Sequence, residues 1–326
     1  MPRSDRVALI TGVTGQDGQL MSKLLHSRHY RVIGTTRNVA SAAAKLRHGI
    51  REHVELVAFD GGGPDAFVDC LSKHRPTEIY NFASLSSGAR MFEDPVAIAM
   101  TNGVAVTHWL EAICQVDPSI RFCQASSSEL FGDTTESPQS ESTPFRPRSP
   151  YGAAKLYAHN MLGLYRKHHG LFACSALLYN HESEHRGFEF VTRKVTAAAA
   201  AIALGDATEL VLGDLRARRD WGYAGDYVRA MCLMLQSNAA DDYVLSTGIT
   251  HSIRELCEIA FARAGLRYEN HVRENLSDSR PLESVPLTGD SRKARERLNW
   301  APQTSFKTMI EAMVDSDIAR LRANSN

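Results

Sequence analysis

The sequence predicts a doubly wound α/β fold: a parallel sheet with helices on both faces, followed by a smaller, mixed region. Three observations predict it. The first half alternates short β-branched runs with longer helical patterns, as strands joined by crossover helices do. A glycine-rich turn separates the first strand pattern from the first helical one. Beyond about residue 180 the alternation breaks into loops, two or three helices and short strands.

The elements follow in order. Strands are expected at Val7–Ile10, Arg31–Thr36, Val54–Phe59, Glu78–Phe82, Arg121–Ala125 and Leu171–Tyr179, all short apolar or β-branched runs. Helices are expected to begin near Gln16, Pro64, Val96 and Pro150. The last has the clearest bounds: Ser149 suits the N-cap, Pro150 the first helical position and Gly170 the position past the end. The stretch Leu276–Gly289 reads as a loop, and Ala197–Ala201 as plain helix-forming sequence.

Composition narrows the function classes. Lys+Arg and Asp+Glu both number 37, so bulk charge predicts no attraction to nucleic acid or membrane, and anion binding must rest on placed arginines. The six cysteines lie scattered without a CxxC, mostly in apolar runs, and read as buried thiols rather than disulfides or a zinc site. No secretory leader is evident, and no stretch reads as apolar for long enough to span a bilayer. A cytoplasmic protein is expected.

VALITGVTGQDGQL reads as strand, glycine turn and helix, with Gly12, Gly15 and Gly18 in GxxGxxG spacing. A sharp turn needs glycine's backbone freedom, and a pyrophosphate needs bare N–H groups at a helix N-terminus. This is a dinucleotide-binding pattern of Rossmann type. An NAD enzyme carries an acidic residue about 20 residues on, for the ribose 2′-OH. Arg37 stands there instead, and a guanidinium suits a 2′-phosphate, so the cofactor expected is NADP. Asp60, with Gly61 behind it, ends the third strand as a candidate adenine contact. Residues 1–180 form the expected dinucleotide-binding unit. Residues 181–326 mainly form the substrate-binding one, with some later segments returning to the first.

Tyr151 and Lys155, four apart on the capped helix, share a face. An ammonium beside a phenol favours the phenolate, which can take a proton from a hydroxyl while hydride leaves the same carbon. Ser126, Ser127, Ser128 and Glu129 follow a strand whose C-terminal end should face the ligand crevice. Glu129 supplies the carboxylate that a dehydratase needs to remove a proton alpha to a new ketone.

The segments ALITGVTGQDG, QASSSELFG, TPFRPRSPYGAAKLYA, LLYNHES, EFVTRKV, RRDWGYAGDYVRAM, STGITHSIRE and SRPLE resemble the extended short-chain dehydrogenases, and within them the GDP-mannose 4,6-dehydratases. The resemblance implies an NADP-dependent hydro-lyase that turns GDP-mannose into a GDP-4-keto-6-deoxy sugar by internal hydride transfer. It implies Ser127 in place of the family's catalytic Thr, Glu129 as acid/base, Tyr151 as base at the sugar 4-OH, and Lys155 on the nicotinamide ribose. Thr14, Gln16 and Asp17 of the glycine loop, and Phe82, Ala83, Ser84 and Ser86 after the fourth strand, fall on the cofactor side, as do His181 and Arg186. Ser86, Ser127, Asn180, Arg193, Lys194, Arg219, Arg280 and Glu283 fall on the substrate side. It also implies a homodimer or homotetramer.

Three alternatives stay open: the same chemistry on a GDP-heptose, an NADPH-dependent reductase or epimerase of a 4-keto nucleotide sugar, and a non-catalytic NADP-binding scaffold. The HxxEH spacing of His181 to His185 is read as a loop rather than a metal site, because the histidines follow a strand and precede Gly187. Arg219 is favoured as a pyrophosphate contact, with Arg216 and Arg218 undecided.

Overall fold

The structure, a computed structural model, describes residues 6–86, 92–276 and 285–324. Among the described residues twelve strands form in chain order: β1 Val7–Thr11, β2 Arg31–Thr36, β3 Val54–Ala58, β4 Glu78–Asn81, β5 Arg121–Ala125, β6 Ala173–Leu178, β7 Asn180–Glu182, β8 Leu210–Leu212, β9 Arg218–Tyr223, β10 Tyr243–Leu245, β11 Thr250–Ser252 and β12 Val272–Glu274. The α-helices are α1 Gln16–Ser27, α2 Val39–Lys45, α3 Pro64–His74, α4 Pro95–Ala99, α5 Ala105–Val116, α6 Pro150–His169, α7 Val191–Leu204, α8 Ala224–Gln236, α9 Ile253–Arg263, α10 Arg292–Leu298 and α11 Phe306–Asn324.

Seven parallel strands make the central sheet, in the order β10-β6-β5-β4-β1-β2-β3. Continuous apolar runs such as Val7–Ile10 suit it, because both faces are covered. Leu20, Met21 and Leu25 of α1 share one core with Val228, Met231 and Met234 of α8. Phe67 and Leu71 of α3, Trp109 and Ile113 of α5, and Leu162 of α6 fill the other. The order reverses beside β1, so a crevice lies outside the C-terminal ends of β1 and β4, where ligands of such sheets sit.

The later part adds a small sheet, β11-β9-β7, and a β12–β8 pair. Its core joins Val195 of α7, Trp221 of β9, Phe261 of α9 and Met309 of α11. One segment from beyond residue 180, β10, completes the large sheet against β6.

The expected strands and helices form within two residues of their predicted ends. Ser149 accepts the Gly152 N–H at 3.0 Å and caps α6, and Gly170 ends it with φ 67°. The short α2 has no apolar stripe to betray it, since Ala42 is its one buried residue. The bilayer expectation needs one correction. The continuous helical stretch Pro95–Val116 is long and apolar enough to cross a membrane. A π turn at Met100–Val104 joins α4 to α5 within it, and it packs on α3 and α6.

Candidate active site

The glycine turn lies at the switch point. Gly12 has φ +65°, and a Cβ there would sit 2.9 Å from the Ala83 nitrogen, so this turn abuts the loop after β4. Gly18 lets α1 close onto the turn, since its Cβ would lie 2.5 Å from the Gly12 oxygen. Gly15 is exposed and caps α1 without a side-chain hydrogen bond, which leaves the first N–H groups of the helix for an anion. Thr14 is half-buried, and its carbonyl accepts from Gln19 Nε2.

Gln16 and Asp17 turn their side chains away from that anion position. Gln16 Nε2 donates to the His181 carbonyl at 2.9 Å and its Oε1 accepts from Ser183 at 2.9 Å. Asp17 Oδ2 faces His181 Nε2 at 3.0 Å. His181 Nδ1 faces the Tyr179 carbonyl at 2.7 Å, and the ring stacks on Tyr227. Two oxygen acceptors call for two N–H donors, so the geometry favours imidazolium. Burial alone would lower the His181 pKa, but Asp17 brings it above 6.5. Burial would likewise raise Asp17, yet His181 holds it below 3.8. These residues thus lace the start of α1 to β7, a tie that spacing alone could not reveal.

Tyr151 and Lys155 share the buried face of α6. Gly152 lies between them in sequence, and a Cβ on it would come within 2.7 Å of the Glu129 carbonyl oxygen. This close approach brings Tyr151 to the Ser128–Leu130 turn that Ser127 caps, with Ser127 Oγ accepting the Glu129 N–H. The Ser127 hydroxyl lies close enough to the Tyr151 phenol to favour the phenolate, and the Glu129 and Arg186 charges act on it from nearby. Ser84 Oγ is buried without a hydrogen bond of good geometry, yet lies near enough to favour the phenolate. The loop carrying it is pinned by Asn102 of the π turn, which bonds the Leu85 N–H at 2.9 Å and the Leu85 carbonyl at 3.0 Å. Phe82 and Ala83 of that loop are half-buried, and Ser86 is exposed.

One expectation is corrected here. Lys155 was expected to lower the Tyr151 pKa, but burial raises the phenol above 10.0, and Ser127 and Ser84 only partly offset this. Lys155 Nζ, 5.7 Å from the centre of the Tyr151 ring, spends its hydrogen bond on the Ala125 carbonyl at 2.7 Å. Burial brings its own pKa down from 10.5 to about 8, with Asp17 opposing.

The remaining candidates divide. Arg37 is exposed at the end of β2, and Asp60, whose Oδ1 accepts the Gly62 N–H, is exposed beside Gly61 past β3. Arg186 pairs with buried Glu182 at 3.0 Å and lies over the Phe190 ring. Asn180 opens β7 opposite Trp221, and Lys194 is exposed on α7. Arg193 does not face solvent: at 3% exposure it pairs with Asp317 at 2.7 Å and donates to the Glu184 carbonyl. Arg219 is half-buried and donates to the Arg218 carbonyl, while Arg216 is held by Asp214 and Arg218 by Thr250. Arg280 and Glu283 lie outside the described residues. Among the described residues no group of His, Cys, Asp and Glu is arranged to hold a metal.

Sequence reasoning passed over Thr11, Asn81, Gln124 and Asn102, all buried. The available signal was a polar residue closing an otherwise apolar strand or helix run, as in EIYN, RFCQA and AMTNGV.

Sheet, glycine turn and helix-borne Tyr–Lys pair define a class: an α/β enzyme of short-chain dehydrogenase/reductase type. The family model described as GDP-mannose 4,6 dehydratase matches residues 9–313. A GDP-mannose 4,6 dehydratase of Cricetulus griseus is 40% identical over 98% of this chain and 94% of its own length. Among solved structures, the fold is similar to a dTDP-glucose 4,6-dehydratase from Bacillus anthracis in complex with NAD. There the TM-score is 0.82 at 19% identity, over 95% of this chain and 96% of that one. It is also similar to RMD from Pseudomonas aeruginosa complexed with NADPH, with TM-score 0.81 at 21% identity over 97% and 98%. The chain belongs to the GDP-mannose 4,6-dehydratase family.

Proposed function

We infer that this enzyme removes water from GDP-mannose to give GDP-4-keto-6-deoxy-mannose, with NADP as a resident cofactor. One observation carries the reading: Gly152 seats α6 against the Glu129 turn, so a carboxylate, a serine hydroxyl and a buried phenol share one small site. A simple dehydrogenase would need the phenol and the lysine but not the carboxylate.

The chain's own groups suit the cofactor. Gly12, Gly15 and the bare start of α1 would hold a pyrophosphate, the Phe82–Ser86 loop would flank the nicotinamide, and Arg37 would meet a 2′-phosphate. When bound, NADP supplies an acceptor for hydride from sugar C4 and a donor of hydride to C6. Tyr151 takes the proton of the 4-hydroxyl, with Ser127 fixing that oxygen. Lys155, on the same face of α6, would meet the nicotinamide ribose beside the phenol. Glu129 removes the C5 proton and protonates the departing C6 hydroxyl. The redox is internal, so no reductant is consumed.

Val96 and Met100 on the α4 side and Tyr157 and Leu164 on α6 are exposed apolar residues of helices that pack together. They suit contact with a second copy of the chain, which supports a homo-oligomer. Six unpaired cysteines support work in the reducing cytoplasm.

The test is Glu129→Gln with GDP-mannose and NADP+, without added reductant. Reduced cofactor should accumulate while loss of water, read by mass, stops. Release of 6-deoxy product at the wild-type rate would refute Glu129's role. A wild-type requirement for added NADPH would favour the reductase reading.

A further inference from the structure

Thr11 and Asn81 end β1 and β4, and Gln124 lies one residue before the end of β5, with Thr11 paired with Asn81 and Asn81 with Gln124. Their side chains form one hydrogen-bonded row across the sheet. The Ala83 N–H donates to Thr11 Oγ1 at 2.9 Å, and the Thr11 hydroxyl donates to Asn81 Oδ1 at 2.5 Å. Asn81 Nδ2 donates to Gln124 Oε1 at 2.6 Å, and Gln124 Nε2 donates to the Ala125 carbonyl at 2.7 Å. That carbonyl is the acceptor of Lys155 Nζ.

The direction of the row is set at both ends. A backbone N–H can only donate and a carbonyl can only accept, so each amide between them has one workable orientation. The row is buried, with Gln124 at 1% exposure. Buried polar groups are costly unless fully bonded, and apolar side chains would fill a sheet more cheaply. Its two ends are the loop that Gly12 abuts and the lysine beside Tyr151.

We propose that Gln124 and Asn81 are positioning residues: they aim the Ala125 carbonyl, and through it the Lys155 ammonium, and tie that charge to the glycine turn. The proposal rests on the reading in which Lys155 works beside Tyr151 in the chemical step. A row that only stabilised the sheet would have no bearing on the chemical step.

Gln124→Met keeps the length of the side chain and removes both bonds. It should lower kcat roughly ten- to a hundredfold, the effect of a small misplacement of a working group, with KM for GDP-mannose little changed. Gln124→Glu gives the sharper signature. A neutral carboxyl can donate its O–H to the Ala125 carbonyl as the amide does, whereas a carboxylate cannot, and burial raises its pKa. Its kcat should approach wild type at low pH and fall through one ionisation that the wild-type profile lacks. If Gln124→Met does not fold, Gln124→Glu decides.

Lys155→Met separates this proposal from the reading beneath it. Unchanged turnover in Lys155→Met would sink the catalytic pair and the relay together. If Lys155→Met is inactive while both Gln124 variants keep wild-type kcat and pH profile, the relay alone is wrong. In the Lys155→Met background, adding Gln124→Met should change the residual rate less than about twofold, since the two act through one group. An undiminished drop would overturn the relay.

Discussion

The two sides of the candidate site are held in different ways. On the sheet side, each candidate is aimed by its immediate neighbours: Ser149 caps α6, Gly152 closes onto Glu129, and the Ala125 carbonyl receives Lys155. On the α7 side, adjacent residues part company. Arg193 and Lys194 lie about 100° apart around the helix, so one enters the core against α11 and the other faces solvent. A strand end or a capped helix start sets the direction of a side chain, whereas a position inside a motif on a helix with one packed and one open face does not. On the first side the Glu129 carboxylate is left only half-buried. On the second, much of the charge is already spent within the protein.

The largest expected effect tests the sheet side. Tyr151→Phe removes one oxygen and leaves the fold of α6 intact. Turnover should fall by about 10²–10⁴ or more, while binding of NADP, followed by fluorescence, stays within about twofold of wild type. Retained turnover would remove the phenol from the chemistry and with it the contrast between the sides.

The α7 side should answer in stability instead. Asp317 is fully buried between Arg193 and Arg320 and also accepts the Thr196 hydroxyl. Asp317→Asn strands a buried guanidinium, a loss of about 3–5 kcal/mol, read by urea unfolding. Protein that still folds should keep a near-normal KM for GDP-mannose. A large rise in KM with unchanged stability would reverse the comparison, making Arg193 a substrate contact after all.

Legibility in the sequence follows the same division. Val7–Thr11, its glycine turn and the Ser149–Gly170 helix could be read because local rules of burial, capping and backbone freedom coincide there with the tertiary role. The return of β10 to the large sheet could not, because three apolar residues carry no partner information. Arg193 looked like its neighbour Lys194 because a sequence shows charge but not the distant Asp317 that neutralises it. The polar row from Thr11 to Gln124 was hidden for a related reason: each residue is unremarkable within its own strand, and only the sheet order sets them side by side.

The smallest expected effect concerns the tie between the sides. Asp17 on α1 and His181 on β7 form an ion pair backed by the Gln16 bonds to the same strand segment. The signs follow from the two shifts. His181 is raised above 6.5, so its contribution is full below that value and is lost as pH rises through the higher folded one. Asp17 is lowered below 3.8, so its contribution is full above 3.8 and lost as pH falls through the lower folded value. The pair is therefore strongest between about pH 4 and 6.5. Asp17→Asn should cost about 1.5–3 kcal/mol there, the worth of a charge-assisted hydrogen bond, and progressively less at higher pH, as His181 loses its proton. Urea midpoints at pH 5.5 and pH 9 measure the difference. A cost that is flat across that range would mean that the two sides are joined by packing around Tyr227 and the neutral Gln16 bonds rather than by charge.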